Sequence, residues 1–514
     1  MSFEALTPTA FLHRSALVYA DKTAVIDGDQ RWTYHEFHER CTLLAGALRN
    51  AGVQVGERVA VLAPNTHMLL EAHYGVPLAG AVLVALNVRL TAADLSYIVE
   101  HSGAKILIYD FEFEDTARAI ESQSKQKLML LRAGGGGEYE KFLANASPHV
   151  EPVADERGLI SINYTSGTTG QPKGVMYHHR GACLQALAMS MHTHLNESSV
   201  YLWTLPMFHC NGWCFTWAVT AAGGAHLCLR KVDPALIWRH LRESGVTQLC
   251  AAPTILIMLA WHADAQPLPR TVNFATGGAP PTPALLARMA ELNVNMTHLY
   301  GLTETFGPAV LCEWRSGWNL WPASQQARIK ARQGVGNVIA QPLRVLNSDG
   351  RDVPRDGETL GEIALRGNNV MLGYYRDEAA TQNAAPGGWF RTGDLAVMHA
   401  DGYIEIMDRA KDIIISGGEN IASVEVERVL SAHPAVLEAA VVAAPDEKWG
   451  EVPVAFVTLK PGQLLDAAAL IAYAREHLAH FKAPKKIVFG DLPKNATGKI
   501  QKFVLREQTR DLKT

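Results

Sequence analysis

Tyr164-Thr165-Ser166-Gly167-Thr168-Thr169-Gly170-Gln171-Pro172-Lys173-Gly174-Val175 sets four small hydroxyl side chains and three glycines around one lysine. Glycines let backbone N–H groups turn inward, hydroxyls donate hydrogen bonds and the lysine supplies charge, which is how a chain wraps polyphosphate. The spacing is not that of a Walker P-loop: Gly170 stands three residues before Lys173, and no Ser or Thr follows the lysine. Apolar residues bound the loop closely, Leu159-Ile160-Ser161-Ile162 before it and Val175-Met176 after, which argues against a flexible linker.

Working outward, both flanks alternate helical and strand patterns. Residues 34–51 read as an amphipathic helix closed by Gly52, residues 58–62 and 104–109 as short buried strands, and 133–137 as a glycine-rich surface loop. Beyond the loop come a helix from about Gly181, a strand at 200–205, a helix at 234–244 and a strand at 248–252. Such alternation predicts an α/β fold of layered, mostly parallel sheets. Residues 334–366 change character: the turn pairs Asp349-Gly350 and Asp356-Gly357 separate short strand-like runs, predicting a small β-rich unit. After Asp408 comes a charged break, Arg409-Ala410-Lys411-Asp412, then about 100 residues with helices at 423–432 and 466–478, strands at 439–444 and 452–459, and a basic loop at 493–502. The expected division is 1–408 and 409–514, with a hinge at 408–411 and a mobile α+β domain beyond it.

Bulk properties agree. A chain of 514 residues exceeds the size at which one core stops growing, so at least two domains are expected. Apolar residues make up 48% and charged residues 19%, as in ordinary globular proteins, and a net charge of −4 gives no reason to expect nucleic acid as partner. The seven cysteines are scattered, with no C-x-x-C, so reduced thiols in a cytoplasmic protein are expected rather than disulfides or structural zinc. Met1-Ser2-Phe3-Glu4-Ala5 lacks a signal-peptide pattern, and the longest apolar run, near 76–86, is too short to span a bilayer.

Three further clusters carry chemistry. Tyr300-Gly301-Leu302-Thr303-Glu304-Thr305 offers an aromatic face, a close backbone approach and a carboxylate for a hard cation; it could equally be a loop with a helix cap. Thr392-Gly393-Asp394 places a carboxylate able to accept from both ribose hydroxyls, or forms a β-turn. In Pro493-Lys494-Asn495-Ala496-Thr497-Gly498-Lys499-Ile500, Lys499 lies between a turn and an apolar residue, a firmer setting than a solvated tail.

In this order, over nearly the whole length, these stretches resemble the adenylate-forming superfamily: acyl-CoA synthetases (AMP-dependent synthetases and ligases), luciferases and peptide-synthetase adenylation domains. Residues 408–412 and 416–427 match as well. The resemblance implies an acid–thiol ligase working in two steps. ATP and a carboxylic acid give acyl-adenylate and pyrophosphate; the small domain swings, and a thiol takes the acyl group. It implies that Thr165, Ser166, Gly167, Thr168, Thr169, Gly170 and Lys173 close over the outer phosphates. Gly277, Gly278, Ala279, Tyr300, Gly301 and Thr303 would frame adenine and the acyl carbonyl. Glu304, with Thr165, would hold Mg²⁺, and Asp394 and Arg409 the ribose. Lys499 would bridge the carboxylate and the α-phosphate, and Lys411 would be the hinge. Gly417, Gly418 and Glu419 would enter for the second step, the glycines letting a pantetheine arm pass.

The acid site is read from Leu205-Pro206-Met207-Phe208-His209-Cys210-Asn211-Gly212-Trp213, where His209 resembles the family's gate and Trp213, with Gly278 and Gly301, would floor the pocket. A lone histidine is otherwise a hydrogen-bonded structural residue, and Trp213, flanked by Trp203 and Trp217, could be core. Together with Met176-Tyr177-His178-His179-Arg180-Gly181, this segment looks most like the branch of short- and medium-chain ligases, including 3-methylmercaptopropionyl-CoA ligases and plant acyl-activating enzymes. That implies an acid of about four to ten carbons, discriminated at roughly 1–3 kcal/mol per methylene. CoA is the expected thiol and a homodimer a common assembly of relatives. Competing readings are a stand-alone enzyme that loads a carrier protein, a ligase for a bulky aromatic acid, luciferase-like oxygen chemistry, and a non-catalytic scaffold that kept the fold.

Overall fold

The computed structural model describes residues 4–165, 171–278, 281–446, 448–494 and 500–509. These residues form four sheets. The six-stranded sheet runs in the order Met129–Ala133, Ala104–Asp110, Arg58–Leu62, Val82–Ala85, Leu159–Thr165, Lys173–His178. Its first five strands are parallel, and the last pairs antiparallel with the strand that precedes it in the chain. The nine-stranded sheet carries Thr23–Asp27, Val200–Leu202, Ala225–Cys228, Gln248–Ala251, Val272–Thr276 and Val294–Leu302 as its parallel centre.

The burial pattern explains the layering. Val59, Val61, Ile106 and Ile108 face one apolar cluster while Ala60, Leu62 and Leu107 face another. Tyr201 and Trp203 join the first cluster from the nine-stranded sheet, whereas Leu202 points the opposite way. Strands buried on both faces in this strict alternation need helices on both sides. The helices Tyr34–Asn50, His67–Leu78, His179–His192 and Phe215–Ala221 fill the shared layer between the two sheets. The first of these begins with a reciprocal cap: Thr33 Oγ1 accepts from Glu36 N–H (3.2 Å) and Glu36 Oε2 accepts from Thr33 N–H (2.7 Å).

The two sheets interlock, which the alternation along the chain does not announce. Thr23–Asp27 leaves the first 150 residues to pair with Ala225–Cys228, while Leu159–Thr165 closes the sheet of the first segment. The expected strand at 200–205 stops at Leu202. The β-rich unit extends past 366: Arg344–Leu346, Gly361–Leu365, Phe390–Met398 and Ile404–Arg409 form a four-stranded antiparallel sheet with its own core.

Beyond it, Ile414–Ser416, Glu419–Ile421, Val436–Asp446, Gly450–Leu459 and Lys486–Phe489 form the fourth sheet. The hairpin Val436–Asp446/Gly450–Leu459 is longer than expected. Val441 packs toward the helices Ser423–Ala432 and Ala467–His477, and Val442 toward the helix Lys502–Thr509. Among the described residues no helix is long and apolar enough to cross a membrane. The seven cysteines are buried free thiols.

Candidate active site

Thr165 ends one strand and Lys173 starts the next, and the two are cross-strand partners. Ser166, Gly167, Thr168, Thr169 and Gly170 lie outside the described residues, as do Ala279 and Lys499. The Lys173 ammonium stands 3.7 Å from Asp377 Oδ2 and 5.0 Å over the Tyr374 ring. The Tyr374 hydroxyl donates to Glu304 Oε1 at 2.8 Å. The groups assigned to phosphate and metal are therefore neighbours, joined by Tyr374 and Asp377, which no motif singled out.

A second group forms around Asp394. Thr392, Gly393 and Asp394 lie in the strand Phe390–Met398 rather than in a free turn. Asp394 pairs across the sheet with Arg409, whose Nε stands 3.0 Å from Oδ1. The Tyr300 hydroxyl donates to Oδ2 at 2.6 Å. Burial, with the Asp394 charge beside it, pushes the Tyr300 phenol well above its usual pKa, so it stays a donor. Both carboxylate oxygens are thus fixed by donors, and Asp394 itself is only 4% exposed.

Tyr300 and Gly301 sit at the end of the strand Val294–Leu302, and Thr303–Thr305 follow as one 3₁₀ turn. Gly301 is required there: a Cβ would lie 1.8 Å from the Gly307 carbonyl oxygen. Tyr177, stacked on Phe306 with ring centroids 3.9 Å apart, donates to the Thr303 carbonyl at 2.7 Å and braces the turn from below.

The segment after His209 takes a conformation that its composition does not suggest. Cys210, Asn211, Gly212, Trp213 and Cys214 all have positive φ, from +50° to +63°, making a left-handed helical turn. Each non-glycine residue there costs about 1–2 kcal/mol. Tertiary contacts hold it, Asn211 Oδ1 accepting from Ser161 Oγ (2.9 Å) and Asn163 Nδ2 (2.8 Å), together with a local bond from Thr216 Oγ1 to the Asn211 carbonyl (3.0 Å). Strain sustained this way marks functional sites. The turn inserts Trp213 between two glycines. A Cβ on Gly277 would come within 2.9 Å of the indole, and one on Gly307 within 3.1 Å.

A cavity of about 30 Å³ lies between His209, Cys210 and Thr303, reaching Tyr164 and Asn87. Burial alone would lower the His209 pKa and raise that of Cys210; their mutual attraction across 3.9 Å reverses both. Gly278 borders open space.

Gly417 and Gly418 form the tip of the hairpin Ile414–Ser416/Glu419–Ile421, with φ of +60° and +86°, a turn that glycine favours. Both, and Glu419, are exposed. Burial, then the Arg409 charge, lowers the pKa of Lys411. On either side of it, Arg428 pairs with Glu405 at 2.8 Å, and the Asp408 carboxylate accepts from Ser423 N–H at the start of the helix Ser423–Ala432.

Residues 12–375 match the family model described as AMP-binding enzyme, and residues 425–499 that of the AMP-binding enzyme C-terminal domain. The chain is 46% identical to the acetate–CoA ligase CCL3 of Humulus lupulus, over 99% of this chain and 96% of that one. It is 44% identical, with the same coverage, to the peroxisomal acetate/butyrate–CoA ligase AAE7 of Arabidopsis thaliana. The crystal structure of ATP-bound MatB from Rhodopseudomonas palustris superposes with a TM-score of 0.89, at 28% identity over 99% of both chains.

Proposed function

The chain belongs to the AMP-binding enzymes, and on that footing we propose that it is an ATP-dependent acyl-CoA ligase whose preferred acids are short. The observation that carries the reading is the convergence of Lys173, Glu304, Tyr300, Asp394 and Arg409, drawn from widely separated stretches, into two adjoining clusters. The relatives' names, acetate and acetate/butyrate ligases, support the lower end of the range of acid sizes expected from sequence. CoA is the thiol; carrier-protein loading is not favoured.

In the first half-reaction a carboxylate oxygen attacks the α-phosphorus of ATP, the bond to pyrophosphate breaks, and pyrophosphate leaves with the electron pair. Asp394, held by Tyr300 and Arg409, accepts from the ribose hydroxyls. Lys173 supplies charge to the outer phosphates. Lys499, outside the described residues, is assigned to the reacting oxygens, where a fixed cation helps most. Glu304 and Thr165 offer a carboxylate and a hydroxyl oxygen, a donor set suited to Mg²⁺, which supplies charge neutralisation on phosphate when bound. In the second half-reaction the CoA sulfur attacks the acyl carbon, the C–O bond to phosphate breaks, and AMP leaves with the electron pair. His209, which lines the cavity with Cys210 and Thr303, is our candidate for the gate of the acid site.

The wild-type enzyme tests this reading. CoA-dependent AMP release with acetate, butyrate and 2-methylpropanoate is expected to exceed that with octanoate and benzoate. No AMP from any acid, or AMP formation indifferent to CoA, would remove the proposal.

Trp213 is the proposed floor of the acid site. Trp213→Ala opens the space between Gly277 and Gly307 and is expected to raise kcat/KM for octanoate relative to butyrate roughly tenfold. An unchanged ratio would make Trp213 a core residue.

We assign 1–408 and 409–514 as the two domains, with Lys411 as hinge. The change of sheet between Ile404–Arg409 and Ile414–Ser416 supports that boundary. Proline fixes φ, so Lys411→Pro is expected to slow thioester formation roughly tenfold more than adenylation. Equal slowing of both would argue against a hinge. The exposed Gly417–Gly418 turn would reach the site only after the swing. We also propose a cytoplasmic, homodimeric enzyme; light scattering reads the assembly.

A further inference from the structure

The residues 371–377 touch both Lys173, assigned to the ATP phosphates, and Glu304, assigned to Mg²⁺. Their backbone pairs with the strand Lys173–His178: Met176 N–H donates to Gly373 O (3.0 Å), Leu372 N–H to Met176 O (3.0 Å) and Tyr375 N–H to Gly174 O (2.7 Å). Met371 N–H donates to the Glu304 carbonyl at 2.9 Å, and the Tyr374 hydroxyl holds the Glu304 carboxylate. The chain then turns back. Arg376 takes a φ of +57°, costly for a non-glycine residue, and Asp377 N–H donates to Tyr374 O at 3.2 Å. This turn brings Asp377 Oδ2 to the Lys173 ammonium, while Oδ1 accepts from Ala380 N–H and caps the helix Glu378–Ala384.

We propose that Asp377 is a positioning residue that holds Lys173 until ATP arrives and is then displaced by the nucleotide's outer phosphates, so that it competes with them for the lysine. The proposal rests on the phosphate-loop reading of Lys173. A carboxylate offers the same charge sign and the same acceptor oxygens as phosphate. A lysine ammonium is a point charge with rotatable donors, so it changes partner without a fixed geometry to satisfy. At 3.7 Å, with side chains 36% and 41% exposed, the Lys173–Asp377 pair is weak enough to yield. Tyr374 stays with Glu304: its hydroxyl donates to Oε1 and leaves Oε2 free of that bond.

Asp377→Asn removes the charge and keeps a capping acceptor. In titration calorimetry on the full-length protein, the variant is expected to bind MgATP about threefold more tightly, the scale of an exposed ion pair, with the gain shrinking in high salt. AMP, which has no outer phosphates, is expected to bind both proteins alike. Asp377→Ser, another uncharged cap, is expected to behave as Asp377→Asn does and covers the case in which asparagine misfolds. MgATP affinity unchanged or weaker in both variants, or an equal gain for AMP, overturns the proposal. A wild-type protein that binds neither nucleotide removes the functional reading and the proposal together; normal wild-type binding with no change in the variants overturns the proposal alone.

Discussion

A Lys499→Ala enzyme is expected to form acyl-adenylate roughly a thousandfold more slowly than the parent, while converting synthetic acyl-adenylate and CoA to thioester at an undiminished rate. Carboxylate attack on phosphorus brings two anions together, and the loss of a fixed cation at that point falls on the transition state of the first step only. The described residues on both sides of 495–499 are clamped. Lys494 and Ile500 bridge to each other, Gln501 N–H donates to Pro493 O at 2.8 Å, and Lys494 pairs with Glu438 at 2.6 Å. Lys502 meets Glu427 at 2.7 Å in a half-buried ion pair, and Glu427 also accepts from Val441 N–H. Pyrophosphate release and thioester formation, assayed separately, decide the matter. Equal loss of both would take Lys499 out of the first step's chemistry.

Asp394→Ala is expected to lower kcat/KM for ATP by about a hundredfold, mainly through KM, since a carboxylate binding the ribose hydroxyls contributes before and during reaction alike. The variant also leaves a buried phenol and a guanidinium without their shared acceptor, so some loss of melting temperature will accompany it. The two effects separate cleanly. A lower melting temperature with KM for ATP unmoved would make Asp394 a fold-stabilising acid that never meets nucleotide. Tyr300→Phe, which keeps the carboxylate and Arg409, should retain most of the ATP affinity.

Much of the site was legible because its chemistry is written locally. The density of glycine and hydroxyl residues before Lys173 reads as a phosphate loop without knowledge of what surrounds it. Asp394 and Glu304 stood out as carboxylates beside glycine or threonine in stretches with family counterparts, although Asp394 lies in a strand and not in a free turn. Tyr374 and Asp377 carried no such mark. Tyr374 reaches Glu304 across 70 positions of sequence, and the contact exists only because residues 372–375 pair with the strand that leaves the phosphate loop. Asp408 read as part of a charged break, yet its carboxylate receives the first N–H of the helix Ser423–Ala432 and ties that helix across the proposed hinge.

By itself the sequence determined the α/β class, the strands Arg58–Leu62 and Gln248–Ala251 to within a residue, and the late small domain. Apolar periodicity and glycine placement act over a few neighbouring residues, and those preferences survive in any fold the chain adopts. Only the tertiary structure decided which strands pair, so that Thr23–Asp27 joined the sheet of the second segment. It alone set the left-handed turn that wedges Trp213 between Gly277 and Gly307. Strand pairing is chosen by the packing of both faces at once. The turn runs against its residues' own preference and persists because Ser161 and Asn163 compensate from a distant part of the chain and Thr216 from the helix that follows.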